Sequence, residues 1–313
     1  METGGSFICL IRYANMERVN FAGSDVKVSP IGVGTYYDFR WIAPARLLGI
    51  MPGKERRISA IRAAIDSGIN LIDTAEIYQS EPLVAEAIKG LPREDLFLAT
   101  KVWPANFSYE KLIKSCERSL RKLNTSYIDL YQMHFPSSSK SKMLEGLKAM
   151  EHLVDQGKIR YIGISNFSLD QTKMVVESLK KHPLSSTQMN FSVAHRNIEK
   201  DILPYCRENR ISILAYFPLA HGKLTSESAL GQNVLKEIER NHGKKSITQI
   251  ALNWFISKYN FVFPIPRASN PDHVRENAGA MGWRMTPEEI ALLESSVAGD
   301  SGPSSPVDPS RKS

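Results

Sequence analysis

Residues 70–101 read NLIDTAEIYQSEPLVAEAIKGLPREDLFLATK. The stretch opens on the short apolar run "NLID" and stops at an acid, Asp73. A helix pattern follows in "EPLVAEAIKG", and a second apolar run, "LFLATK", stops at a lysine, Lys101. Both runs are short and almost continuously apolar, as expected of parallel strands buried on both faces. A strand–helix–strand unit of this kind sets the expectation for the whole chain.

The rhythm holds on either side. A two-stranded opening comes first, Arg18–Phe21 and Val26–Val28 with "AGSD" as its turn. The apolar runs "IGVG", "NLID", "LFLATK", "IDLYQMH", "IRYIGIS", "STQMN", "SILAY" and "FVFPIP" then follow in order, each trailed by a helix pattern. Eight such units in one chain predict an α/β fold, a (β/α)8 TIM barrel with an N-terminal β-hairpin. "TPEEIALLESSV" adds a C-terminal helix beyond the eight, with Thr286 as N-cap and Glu289 at the capping-box position. An open doubly wound sheet that binds a dinucleotide carries a G-x-G-x-x-G turn after its first strand. Here Thr35, Tyr36 and Tyr37 follow that strand instead. "DFRWIAPARLLGIMPG" (38–53) reads as a long loop, which places Tyr37 and Trp41 either at an aromatic mouth or in rim packing.

The bulk numbers fit this frame. With 313 residues, 42% hydrophobic and 23% charged, the composition is that of an ordinary globular protein. Residues 16–298 are expected to form one barrel domain, residues 1–15 an extension, and the Ser/Pro/Gly-rich residues 299–313 a disordered tail. The net charge of +7 is spread without a basic block, so no nucleic-acid partner is implied. The three cysteines, Cys9, Cys116 and Cys206, are far apart and lack metal-type spacing, so no metal is expected and a reducing compartment is. Phe7–Ile11 is too short for a signal segment, and no run reaches the ~20 apolar residues of a membrane span. A cytoplasmic protein with no membrane partner is the expectation; the oligomeric state is open.

A barrel keeps its chemistry at the carboxyl ends of its strands. Those ends carry Asp73 (with Tyr78 in the loop beyond), Lys101, His134, Ser165–Asn166, Gln188 and Tyr216. Ionisable groups on three successive strands are costly when desolvated unless they pair, and Asp73 and Lys101 are opposite in sign on neighbouring strands. A phenol is a poor acid at neutral pH, and a nearby lysine stabilises its phenolate. Asp73 would hold the lysine, and His134 would bind a substrate oxygen. The set would protonate a carbonyl oxygen as hydride reaches carbon.

These pieces resemble an aldo-keto reductase over Glu17–Ala298: "INLIDTAEIY", "LFLATKVW", "YIDLYQMH", "GKIRYIGISNF", "QMNFS", "ILAYFPLAHGKL" and "IPRASNPDHVRENAGAMGWRMTPEEI" stand in the family's order. The resemblance implies an enzyme with the catalytic set Asp73, Tyr78, Lys101 and His134. It implies a nicotinamide dinucleotide across the barrel mouth, near Thr35. Ser165, Asn166 and Gln188 would hold the carboxamide and Tyr216 would stack on the ring. Phe217, Leu219, Gly222 and Leu224 would follow the pyrophosphate, Arg267 and Ser269 the 2′-phosphate, and Glu276 and Asn277 the adenine. Tyr36, Trp103 and Phe135 would wall the substrate, a small carbonyl compound or alcohol.

Two departures stand out. Phe217 replaces a serine common in the family, and Arg267, Ser269 and His273 replace other phosphate-reading residues. Arg267 still suits a 2′-phosphate, so NADP(H) is expected over NAD(H). The other functions weighed are a nicotinamide-binding regulatory subunit with little turnover and an unrelated barrel enzyme such as a sugar-phosphate isomerase.

Overall fold

The computed structural model of the chain describes residues 17–225 and 232–297. The expected extension 1–15, the tail 299–313 and Cys9 lie outside the described residues. A short hairpin opens the described chain, β1 (Val19–Asn20) paired antiparallel with β2 (Lys27–Val28). Eight parallel strands follow in sequence order, β3 (Val33–Gly34), β4 (Leu71–Asp73), β5 (Phe97–Val102), β6 (Ile128–Met133), β7 (Ile159–Ser165), β8 (Leu184–Asn190), β9 (Ser212–Tyr216) and β10 (Val262–Pro264). The ends meet: Gly34 N–H donates to Pro266 O and Ala268 N–H to Gly34 O, both at 2.9 Å. The expected (β/α)8 barrel is therefore closed.

Helices connect the successive strands, and two more follow β10. They are α1 (Phe39–Leu48), α2 (Lys54–Asp66), α3 (Glu81–Ile88), α4 (Tyr109–Leu123), α5 (Lys140–Asp155), α6 (Leu169–Ser178), α7 (Ile202–Glu208), α8 (Gln232–His242), α9 (Ile247–Lys258), α10 (Pro271–Ala278) and α11 (Pro287–Ser296). Thr286 and Glu289 form the expected capping box of α11.

One apolar cluster fills the bottom of the barrel, where Phe21 of the hairpin turn packs on Phe97 (ring centroids 4.6 Å apart), Tyr161 and Phe263. Burying such a ring contributes about 1.5–3 kcal/mol. The bottom is plugged, and the chemistry is left to the other end. A second cluster lies between the strands and the helices.

Two helices depart from the sequence reading. Residues 38–53 are not all loop. The Asp38 carboxylate caps α1 by accepting from Trp41 N–H, and left-handed Gly49 ends the helix. Pro44 inside α1 masks its helical character in the sequence. Trp41 and Tyr37 are each only 2% exposed and pack edge to face at 5.1 Å, and the Trp41 indole donates to Pro52 O. Both are packing residues and neither lines the mouth. The second departure is α8, which buries Val234 and Ile238 in a charge-rich stretch.

Candidate active site

The carboxyl ends of the barrel strands open into a cavity of about 840 Å³. Its floor is Asp73, Tyr78, His134, Ser165, Asn166 and Gln188. From there it runs past Tyr216, Phe217 and Gly222 to Arg267, Glu276 and Asn277.

At the floor, Lys101 Nζ donates to Asp73 Oδ2 at 2.5 Å and to Thr74 O at 2.8 Å. The lysine side chain is fully buried and that of Asp73 is 3% exposed. Two such charges tolerate burial only as a well-bonded pair. The other carboxylate oxygen, Asp73 Oδ1, accepts from Gln188 Nε2 at 2.8 Å and from Gln132 Nε2 at 3.2 Å. Gly163 makes room for this chemistry, because a Cβ there would stand 2.7 Å from both Gln132 Cγ and Ser186 Oγ.

Tyr78 ends a tight turn, Glu76–Tyr78, just beyond β4. Its hydroxyl lies 3.2 Å from His134 Nε2, and Lys101 Nζ lies 4.9 Å from its ring centroid. Glu76 anchors the turn. Its carboxylate accepts from Trp103 N–H at 2.6 Å, from Asn106 Nδ2 at 3.0 Å and from the Ser115 hydroxyl. One acid thus ties the Tyr78 loop to the strand end that follows Lys101. Trp103, held this way, packs edge-on against His134 and Phe135, each at 5.5 Å. Tyr36 packs edge-on against Tyr78 at 5.2 Å.

The electrostatics correct one expectation. Desolvation, then the Asp73 charge, raises the Tyr78 phenol well above the ordinary tyrosine value. The sequence reading had Lys101 lowering it. Asp73 is bonded to that lysine, so the pair presents a dipole to the phenol and not a net positive charge. Desolvation, then Lys101, drives His134 well below the ordinary histidine value. The imidazole is therefore neutral at neutral pH. The arrangement sets a protonated phenol beside a neutral imidazole, two hydrogen-bonding groups that can meet one oxygen atom.

Above the floor, Asn166 has φ 65°, a left-handed conformation that asparagine tolerates better than most residues. It donates to His134 O and Ser165 Oγ, and its Oδ1 accepts the Tyr216 hydroxyl at 2.7 Å. Phe217, Ala220, His221 and Gly222 also have positive φ, and Phe217, His221 and Gly222 line the cavity wall. The Arg267 side chain is exposed at the rim and makes no ion pair or hydrogen bond among the described residues.

A sequence model of the Aldo/keto reductase family matches residues 49–298. The chain belongs to that family. It is 35% identical over 288 residues to Methylglyoxal reductase YeaE of Escherichia coli (strain K12), covering 91% of this chain and 96% of the relative. It is 33% identical over 239 residues to Glyoxal reductase of Bacillus subtilis (strain 168), covering 75% and 81%. Among solved structures, an aldo/keto reductase from Klebsiella pneumoniae in complex with NADP and acetate superposes with TM-score 0.78 at 31% identity, covering 92% of this chain and 97% of that one. The chain is thus an aldo-keto reductase, an oxidoreductase.

In this reductase, Asp73, Tyr78, Lys101 and His134 converge. Of the residues singled out in the sequence, Tyr36, Phe135, Ser165, Asn166, Gln188, Tyr216, Phe217, Leu219, Gly222, Arg267, Ser269, Glu276 and Asn277 line the same cavity. Thr35 does not. Its buried hydroxyl donates to Asp73 O at 3.1 Å and meets Ser80 Oγ at 2.9 Å, so it supports the Asp73 backbone from behind. Leu224 is buried outside the lining, and Trp103 reaches the site through His134 and Phe135. Thr248, His221 and His273 also line the cavity. Thr248 escapes a reading of strand ends because it sits at the start of α9.

Among the described residues no helix is long and apolar enough to cross a membrane, and no group of three acidic, histidine or cysteine side chains is placed to hold a metal.

Proposed function

We propose that this reductase interconverts a small aldehyde or ketone and its alcohol using NADP(H), with Tyr78 as the proton donor. The observation that carries the reading is the Tyr78–His134 contact of 3.2 Å beside the buried Lys101–Asp73 pair. The cavity also suits a dinucleotide. It offers an aromatic face at Tyr216, an acceptor at Gln188 Oε1, left-handed backbone at Phe217, His221 and Gly222, and Arg267 at its far end; the acceptor and Arg267 are both without a side-chain partner among the described residues. Those residues would hold ring, carboxamide, pyrophosphate and 2′-phosphate respectively; a guanidinium facing a phosphate favours NADP(H) over NAD(H).

The dinucleotide supplies the hydride, and the rest falls to the chain. As hydride reaches the carbonyl carbon, the C=O π pair moves to oxygen. Tyr78 O–H gives that oxygen its proton, and the neutral His134 imidazole donates a hydrogen bond to the same atom. The phenolate left behind lies against Lys101, whose charge stabilises it until a proton returns from solvent. Tyr36 and Phe135 wall the substrate with aromatic surface, and Trp103 packs against Phe135 and His134. The names of the relatives make methylglyoxal and glyoxal the first substrates to try. A cytoplasmic setting belongs to the same proposal.

The test mixes the protein with NADPH or NADH, follows fluorescence quenching, then adds methylglyoxal or glyoxal and follows NADPH absorbance. Tighter binding of NADPH with turnover is expected. Failure to bind either dinucleotide would overturn the reading, and binding without turnover of any aldehyde, ketone or sugar would favour a regulatory subunit.

A further inference from the structure

Among the described residues, four large hydrophobic side chains stand exposed, and three of them sit together: Leu47 (79%), Leu48 (69%) and Ile50 (55%). A single exposed leucine is ordinary, and a cluster is not. The three close α1 and open the turn beyond left-handed Gly49. Trp41, Ile42 and Ala45 anchor the helix in the core, while its last two residues and Ile50 are left to solvent.

This tip is braced. Trp41 Nε1 donates to Pro52 O at 3.0 Å, Ile50 N–H to Pro44 O at 3.3 Å and Lys54 N–H to Met51 O at 3.2 Å. Arg57 donates to Pro52 O and Gly53 O, and its guanidinium lies over the Tyr37 ring at 4.7 Å. Apolar side chains held on such a frame lose little backbone freedom on docking.

Charge narrows the partner. Residues 38–57 hold five Lys or Arg and two Asp or Glu, which is +3 of the chain's +7. Arg40, Arg46, Lys54 and Arg56 are exposed and have no side-chain ion pair or hydrogen bond among the described residues. A second copy of the chain fits badly. A two-fold contact would set these basic groups against their own image, and three apolar side chains fall short of the ~20–30 residues a side of a stable interface. Basic groups around an apolar tip match instead a surface that is negative outside and apolar just beneath.

We propose that residues 46–56 dock the protein on an anionic lipid surface. Leu47, Leu48 and Ile50 enter the headgroup boundary, and Arg46, Lys54 and Arg56 pair with lipid charge. Each basic group near such a surface contributes roughly fivefold in partitioning, and the apolar tip adds the second signal that stable peripheral binding needs. The sequence argument against a membrane partner concerned a spanning segment, and lying on a surface needs none. The connection from β3 to α1 runs through Tyr36 and Asp38, both in the cavity wall, so docking turns the cavity end of the barrel toward the lipid.

The test is co-sedimentation of the full chain with phosphatidylcholine vesicles, with and without phosphatidylserine. Vesicles with phosphatidylserine should bind roughly tenfold or more tightly, and the difference should shrink as salt is raised. Leu47→Ser/Leu48→Ser/Ile50→Ser should melt like the wild type, since exposed positions change stability little, and should weaken binding roughly tenfold or more. Arg46→Gln/Lys54→Gln/Arg56→Gln should erase the preference for phosphatidylserine. A full chain that ignores both kinds of vesicle would overturn the proposal, and so would binding that survives the Leu47/Leu48/Ile50 variant unchanged. A dimer that this variant abolishes, in the absence of vesicle binding, would assign the tip to a second copy and overturn it too. No nucleotide is present, so the outcome is independent of the proposed reaction.

Discussion

Lys101 lies under the ring of Tyr78, with Nζ 4.9 Å from the ring centroid, and spends its hydrogen bonds on Asp73 and Thr74 and not on the phenol oxygen. Its charge is therefore matched to the phenolate that proton transfer creates more than to the resting phenol. Its pull on the phenolate is outweighed in the resting enzyme by desolvation and the Asp73 charge, which keep the phenol well above its ordinary value. The energetic advantage falls where catalysis needs it, on a charge that develops during the reaction.

The pH dependence follows from the two shifts. Tyr78 is raised well above its ordinary value and His134 is driven well below its own, so neither changes protonation near neutrality. Single-turnover reduction of a good aldehyde should be flat between about pH 7 and 9. Loss of rate should appear on the acid side only once His134 protonates, below the ordinary histidine range. A basic limb centred near pH 8 would contradict these assignments.

Removing one partner of the buried ion pair should be severe. Lys101→Met leaves Asp73 charged and uncompensated, and urea denaturation should show a loss of about 3–5 kcal/mol. The double variant Lys101→Met/Asp73→Leu should recover much of that stability and remain inactive. A double variant no more stable than the single one would argue against the pairing.

Glu76 makes a prediction away from the chemistry. Its carboxylate takes donors from Trp103, Asn106 and Ser115. Glu76→Ala should loosen the turn that ends on Tyr78, costing about 1–3 kcal/mol of stability. It should also lower kcat by about tenfold, since small misplacements of reacting groups are amplified in rate. Unchanged kcat with lowered stability would reduce the residue to a purely structural role.

The carboxyl of Glu81 is buried at the start of α3, where its Oε1 accepts from Thr100 at 2.9 Å. Desolvation raises it above its ordinary 4.5, against the hydrogen bond of Thr100 and the charge of Lys122. A carboxyl whose folded pKa lies above its unfolded one binds its proton more tightly when folded. Stability is therefore lost as pH rises through the unfolded value towards the folded one. Glu81→Gln should gain stability relative to wild type at pH 8 compared with pH 5. An equal difference at both pH values would contradict the sign.

At the far end of the cavity, Arg267→Ala should weaken NADPH binding by roughly ten- to a hundredfold, in line with the ~1.5–3 kcal/mol of a hydrogen bond to a charged group, and leave NADH nearly unchanged. Equal losses for both dinucleotides would remove the 2′-phosphate from its account.

Much of this was legible in the sequence because strand ends are legible. Asp73, Lys101 and His134 each interrupt or follow an apolar run, and the barrel's topology brings successive ends together. The link from Asp73 to Gln132 and Gln188 was not. It crosses the barrel interior between β4, β6 and β8, which are not neighbours in the sheet, and strand periodicity tells which way a side chain points without naming its partner. Helix α1 was hidden by Pro44, and α8 by the charges around Val234 and Ile238. Thr35 ends a strand as the others do, yet its hydroxyl turns to Asp73 O and Ser80. The net shift of the Tyr78 phenol also lay beyond the sequence, since it depends on burial and on the Asp73 charge.

The central claim is that Tyr78 gives up the proton while other residues hold the cofactor. Tyr78→Phe keeps the ring against Tyr36 and removes only the hydroxyl. Single-turnover reduction of methylglyoxal by NADPH should fall by about 10²–10⁴-fold, with NADPH affinity within about twofold of wild type. A variant that retains most of its rate, or one that loses NADPH binding along with it, would contradict the claim.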